Sequence, residues 1–384
     1  MYVKLKNCVV LEPGTKEWQV IDIGIRDGRV EAMGGVADAK ADRVIDLGRR
    51  FVSPAWVDLH THVYSLGTSL GVDADSIGRT SGVGVFVDAG SAGAGNFTGF
   101  KEHVIKRSKV KIYSFLNIGF GGIPFFGIQG GSQAGEIPKL EVADPEACAH
   151  CVRNNRRLIV GIKVRLSAKA NGELGRAPLR TARKCARSLG IPVMLHIGKP
   201  PPDIGDLIGL LGPGDILTHA FRPEPNSILD GEGRVAKALK AAKRRGVVID
   251  IGHGSGSFSY RVAEAALEDA FQPDVISTDI HAFSVASPVH DLPTTMTKLL
   301  NLGMPIEDIV NAVTRNPAIA IHRPRHGRIS EGEPADMVVF EVARIRTTLK
   351  DSAGEERSFA KAIRPLLRVE GTTVRRIPWV ASGR

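Results

Sequence analysis

An α/β fold is predicted: a (β/α)8 TIM-like barrel with a small β-sandwich domain formed by the N- and C-terminal segments. Three observations predict it. Eight short β-branched apolar runs recur through the middle of the chain, each followed by a Gly-rich or polar turn and then a stretch of helical period. Most of them follow one another at about the length of one βα unit, roughly 30 residues. The two flanks instead alternate apolar and polar residues, the period of a half-buried strand. Eight alternating units favour a closed parallel barrel over an open sheet. No GxGxxG follows the first run, which counts against a doubly wound sheet.

In chain order, residues 1–54 read as the first part of the small β domain, 55–324 as the barrel and 325–384 as the rest of the β domain. Within the first part, Arg26-Asp27-Gly28-Arg29 separates two strand-like stretches and signals a hairpin. The barrel runs are 57–63, 84–89, 110–118, 159–166, 193–197, 216–220, 247–251 and 275–280. Segments of helical period lie between them at 100–108, 178–189, 234–245, 262–271 and 294–300. The widest gap, after the third run, holds the Gly-rich stretch 119–135 with Phe120, Phe125 and Phe126. A long loop at the C-terminal end of a barrel strand is expected to form a lid or a pocket wall, or to pack on a partner subunit. Short strands return at 327–342 and 367–380.

Composition excludes several classes. With 384 residues, 43% hydrophobic and 24% charged, the chain has a globular balance. No apolar run approaches the roughly 20 residues needed to span a bilayer. The first residues alternate like a strand and lack the apolar block of a signal peptide, so a cytoplasmic protein without membrane partners is expected. The net charge of +10 would suit nucleic acid, but the basic residues come in scattered pairs and triplets and aromatics make up only 5%. Solvated helix faces explain them better, so no nucleic-acid partner is expected. Cys8, Cys148, Cys151 and Cys185 are too few for a disulfide framework, and no second CxxC accompanies Cys148–Cys151 to complete a zinc site.

The chemistry lies at the strand ends. His60 and His62 are two apart on the first run and so share a side. His196 closes the fifth run, His219 the sixth and Asp279 the eighth. A polar residue ending an apolar run is costly to bury without a partner, and barrel enzymes place their sites at these C-terminal ends. Convergent metal ligation is the leading reading. On the fourth run, Lys163 and Arg165 share a face. A lysine beside metal cations would be repelled as an ammonium; deprotonated and carboxylated by CO2, it becomes an anion able to bridge two ions. A lysine reaching a carboxylate or solvent is the competing reading.

This pattern resembles the amidohydrolase superfamily, in its binuclear subtype with a lysine on the fourth strand. The resemblance rests on Val57-Asp58-Leu59-His60-Thr61-His62, Lys163, His196, His219 and Asp279, on Asn316-Pro317-Ala318, and on the tail 327–339. It implies two divalent ions, zinc first with manganese, iron or cobalt as alternatives. His60, His62 and Asp279 would hold one ion, His196 and His219 the other, with carboxylated Lys163 between them. The implied reaction is attack by a metal-bridging hydroxide, with Asp279 as general acid and base.

Departures from relatives narrow the reaction. Tyr64 stands where dihydroorotases carry a carboxylate-binding arginine, and the fifth run lacks the HxxE of adenosine-type deaminases. Gly161-Ile162-Lys163-Val164-Arg165 and Asp250-Ile251-Gly252-His253-Gly254 resemble the deacetylase branch, often labelled dihydroorotase-like. That branch implies removal of a small acyl group, such as acetyl, from an ester or N-acyl amide of a small carboxylic acid or amino acid. Cyclic amide opening, of the dihydroorotase, dihydropyrimidinase or hydantoinase type, is the alternative. Arg165 is a candidate clamp for the substrate carboxylate, with a structural ion pair as its rival. His253, Tyr64 and His281 are further candidates for substrate contact. The expected partners are a small-molecule carboxylate substrate and further copies of the chain.

Overall fold

The structure is a computed structural model describing residues 1–12, 15–35, 41–123 and 135–381. Seven parallel strands form one sheet in chain order: Trp56–Thr61, Val83–Gly93, Lys111–Asn117, Ile159–Leu166, Val193–Ile197, Ile216–Thr218 and Val248–Ile249. The eighth run closes the ring. It pairs as isolated parallel bridges, Val275 with Asp250 on one side and Ile280 with Thr61 on the other. The Asp279 N–H donates to the His60 carbonyl at 2.6 Å and the His62 N–H to the Ile280 carbonyl at 2.9 Å.

The continuous eighth strand expected over 275–280 is therefore corrected to a broken segment. Asp279 takes a φ of +47°, which extended pairing does not allow, and the Asp58 carboxylate accepts from the Thr278 N–H and hydroxyl. The sixth strand also stops early, where His219 turns to a φ of +66°. Both residues sit in a region that non-glycine residues seldom occupy, and such strain clusters at functional sites.

An apolar cluster of Val57, Leu59, Val85, Val87, Phe115, Val160, Met194, Ile216 and Val275 draws on strands all round the ring, so it fills the barrel interior. Helices on the outside cover the second, larger core. They include Pro145–Asn154, capped by the Asp144 carboxylate accepting from the Glu146 and Ala147 N–H groups. Ala177–Leu189 ends at Gly190 in the left-handed conformation. Its buried Leu179, Ala182, Ala186 and Leu189 recur at helical spacing and face that core.

The flanks form one eight-stranded sheet from both ends of the chain. Phe51–Pro54 pairs with Tyr2–Leu11 on one side and Asp336–Ala343 on the other, and Trp18–Arg26 and Arg29–Met33 make a hairpin. Its turn, Asp27-Gly28, has both φ angles positive, the geometry Asp-Gly favours. Tyr2–Leu11 also pairs with Arg43–Asp46, and the sheet wraps its own core of Val3, Leu5, Ile23, Val52, Met337 and Val339. No helix among the described residues is long and apolar enough to cross a membrane. Phe120 lies half-exposed on the stretch after the third strand, whereas Phe125 and Phe126 fall outside the described residues.

Candidate metal centre

Strict alternation cannot put both Leu59 and His60 on the inside of the barrel. An irregularity in the pairing of the first two strands, between Asp58 and Thr61, resolves this. Leu59 stays with the interior apolar cluster, and His60 and His62 reach the polar layer above it. A second irregularity, between Ile159 and Gly161, comes just before Lys163. Bulges of this kind commonly re-aim side chains near active sites.

The resulting cluster is compact. His60, His219 and Asp279 each offer a ligand atom within 4.8 Å of the others. Asp279 Oδ1 lies 3.3 Å from His60 Nε2 and 3.2 Å from His62 Nε2. His219 Nε2 and His196 Nδ1 are 2.7 Å apart. Lys163 Nζ sits 3.2 Å from His60 Nε2 and 3.3 Å from Met194 Sδ, resting on the interior core. Space for Lys163 comes from Gly90, where a Cβ would approach Lys163 Cβ to 2.6 Å.

Hydrogen bonds beneath the cluster set the tautomers. Thr218 Oγ1 donates to Asp250 Oδ2 at 2.7 Å, so it can only accept from His60 Nδ1, also at 2.7 Å. The Gly252 carbonyl likewise accepts from His219 Nδ1 at 2.6 Å. Both imidazoles therefore turn the lone pair of Nε2 toward the cluster. His62 Nδ1 is 2.8 Å from Ser91 Oγ, and the Ser91 N–H donates to Asp88. Gly252 is required here: at a φ of +48°, a Cβ would lie 2.2 Å from Thr218 Oγ1.

Charge states agree with this arrangement. Burial, reinforced by the Lys163 ammonium, keeps His60 neutral, and burial pulls His219 down to about 3. Burial also lowers Lys163 to about 8, which raises its share of neutral amine. Asp279 Oδ1 is buried without a hydrogen-bond partner among the described residues. A lone carboxylate oxygen facing imidazole lone pairs fits a divalent cation: His60, His62, His196, His219, Asp279 and Lys163 supply the donor set.

The Asp250 layer was not expected from sequence. Burial pushes its carboxyl up to about 6, against hydrogen bonds from Ser277 and Thr218 that pull it down. Asp250→Asn removes one acceptor and frees the Thr218 hydroxyl, which loosens His60. Metal affinity is expected to fall about 10–100-fold in a chelator competition, with melting temperature little changed. Unchanged affinity would show that Asp250 does not orient His60.

A cavity of about 320 Å³ opens above the cluster, lined by His62, Lys163, Asp279, Arg165, Arg222 and His281, among others. Arg165 lines the cavity and pairs with Glu136 at 3.1 Å, the ion pair expected as its structural alternative. His281 faces His62 across 6.3 Å between ring centres. Two candidates are placed elsewhere. His253 is buried against Phe258, with Nδ1 on the Gly254 carbonyl and Nε2 receiving the Lys298 ammonium at 2.8 Å. The Tyr64 ring stacks on Phe100 at 4.6 Å, under Gly67, and does not line the cavity.

The amidohydrolase family model matches residues 51–364. A deacetylase of Agrobacterium fabrum is 38% identical over 90% of this chain and 84% of its own. A crystal structure described as a dihydroorotase superposes with a TM-score of 0.89 at 36% identity, covering 98% of this chain and 97% of that one. One described as an adenine deaminase gives 0.89 at 31%, covering 97% and 99%. These relatives differ in the reaction their descriptions state, while the fold and the family are common to them. The match runs through the barrel and into both flanks: this chain belongs to the amidohydrolase family and is a metal-dependent hydrolase.

Proposed function

We propose that the protein removes a small acyl group, such as acetyl, from an ester or N-acyl amide of a small carboxylic acid or amino acid. The observation that carries this reading is the cavity. Its floor is the histidine, lysine and aspartate cluster, and Arg165, Lys169, Lys199 and Arg222 outnumber Glu136 as the other charged residues around it. A cationic pocket of this size suits a small anionic substrate. Similarity to the deacetylase relatives supports acyl removal over ring opening. In the same reading, residues 55–324 are the catalytic barrel, and 1–54 with 325–384 make the small β domain.

His60, His62 and Asp279 would hold one divalent ion and His196 and His219 a second, with Lys163, carboxylated by CO2, between them. When bound, such ions polarise a scissile carbonyl and acidify the attacking water. Asp279 takes the proton from that water and delivers it to the leaving oxygen or nitrogen. Thr218 and Gly252 keep the imidazoles of His60 and His219 in the ligating tautomer throughout.

A panel of O-acetyl esters, N-acetyl amino acids and cyclic ureides, assayed with the zinc- or manganese-loaded protein, tests the reading. Turnover is expected on the acyl compounds. Ring opening of ureides with no deacylation would replace this function with the cyclic amidohydrolase one, a reaction type that the dihydroorotase neighbour keeps in view.

A further inference from the structure

Arg222 follows His219 by three residues, just beyond the end of the sixth strand. It is only 6% exposed, yet it lines the same cavity as the histidine cluster. Its Nη1 donates to the Ile197 carbonyl at 3.1 Å. Its Nε is buried and has no hydrogen-bond partner among the described residues. No carboxylate there comes within ion-pair distance of the guanidinium, and the acid that acts on it through space, Glu224, is exposed.

Lys163 apart, whose nitrogen belongs to the histidine cluster, several other sheltered cations among the described residues are answered. Arg368 is held by Asp336 and two carbonyls, Arg183 by Asp215 at 3.0 Å, Lys298 by two carbonyls and His253, and Arg165 by Glu136. Lys169 and Lys199, two further cavity cations, are exposed. Outside the histidine cluster and its Lys163, Arg222 is the cavity cation among the described residues that combines burial with a charge no carboxylate answers. Burying an ion without a counter-ion is unfavourable, so a guanidinium kept this way in a substrate cavity is built for an anion that arrives from outside.

We propose that Arg222 is the residue that receives the substrate's carboxylate, through its Nε–Nη2 edge. With Nη1 committed to Ile197, that edge presents two parallel N–H donors, the fork that matches two carboxylate oxygens. The substrate class is thereby an acyl ester or N-acyl amide whose retained part bears a carboxylate. This rests on the deacylase reading for the reaction, though not for the binding of the anion.

The test compares wild type with Arg222→Gln and Arg222→Lys, all metal-loaded. Kinetics use O-acetyllactate and N-acetylalanine against their carboxamides, and calorimetry uses lactate against lactamide. Wild type is expected to prefer the carboxylates. Arg222→Gln should lower kcat/KM for them on the order of 100-fold while changing the carboxamides less than about 3-fold, and Arg222→Lys should restore part. The melting temperature of Arg222→Gln should stay level or rise, because a buried unpaired charge is removed. An equal fall on charged and neutral substrates with a drop in melting temperature would make Arg222 structural and overturn the proposal. So would a carboxylate preference that survives Arg222→Gln. If wild type deacylates nothing, the deacylase reading fails by itself. The calorimetric preference for lactate, and its loss in Arg222→Gln, then still decides the role of Arg222.

Discussion

Lys163→Ala protein is expected to lose bound metal and activity together. Elemental analysis of the wild type, expressed with zinc and bicarbonate, should approach about two ions per chain, the count of a bridged pair. The variant should hold fewer than about one, and its turnover should fall on the order of 10³-fold or more. Lys163 is nearly fully buried, is answered by no carboxylate within ion-pair distance among the described residues, and projects its nitrogen at His60 Nε2. Beside the cations that this cluster would hold, a plain ammonium would be repelled. Its lowered pKa instead favours the neutral amine that reacts with CO2. Formate or acetate should restore part of the loss by occupying the space of the carbamate. Unchanged metal content in the alanine variant would remove the bridge from the mechanism.

Asp279→Asn is expected to keep metal and lose turnover by about 10²–10⁴-fold, the contribution of a positioned general acid and base. The amide preserves an oxygen of similar shape and leaves the main-chain bond from Asp279 to the His60 carbonyl intact. What it removes is the ability to take up a proton at the oxygen left without a hydrogen bond. Full activity in the variant would assign the proton transfers to another group. Metal loss would make Asp279 a ligand first and leave its catalytic part to be measured at saturating metal.

Much of this was legible before any coordinates. Period-two runs followed by turns and helical segments are the direct signature of βα units, and the Asp27-Gly28 turn is as local as a signal can be. The residues of the cluster stood out because a histidine or aspartate that ends an apolar run conflicts with its surroundings. Features that depend on neighbouring strands were hidden. Nothing in Val57–Thr61 announces the irregularity that lets Leu59 face the core and His60 the site. Asp250 read as part of an apolar run, and its use became visible only once Thr218 and Ser277 were beside it. A carboxylate flanked by Val247, Val248, Ile249 and Ile251 is itself a signal, because it conflicts with its apolar neighbours. His253 and Tyr64 were within reach of the site in sequence but not in space, because the Lys298 ammonium and the Phe100 ring hold them elsewhere.

The broken eighth segment has a mechanical consequence. The ring is sewn shut by single bridges and by the main-chain bonds of His60, His62, Asp279 and Ile280, the same short stretch that carries the donor atoms. A cation shared by His60 and Asp279 is then a rivet between the first and last turns of the barrel. Like a covalent cross-link, it joins residues 60 and 279, which the chain itself connects only through the six intervening strands. Loading the centre would thus tighten a closure that the main-chain bonds already make, and the residues that acquire the chemistry would also brace the scaffold.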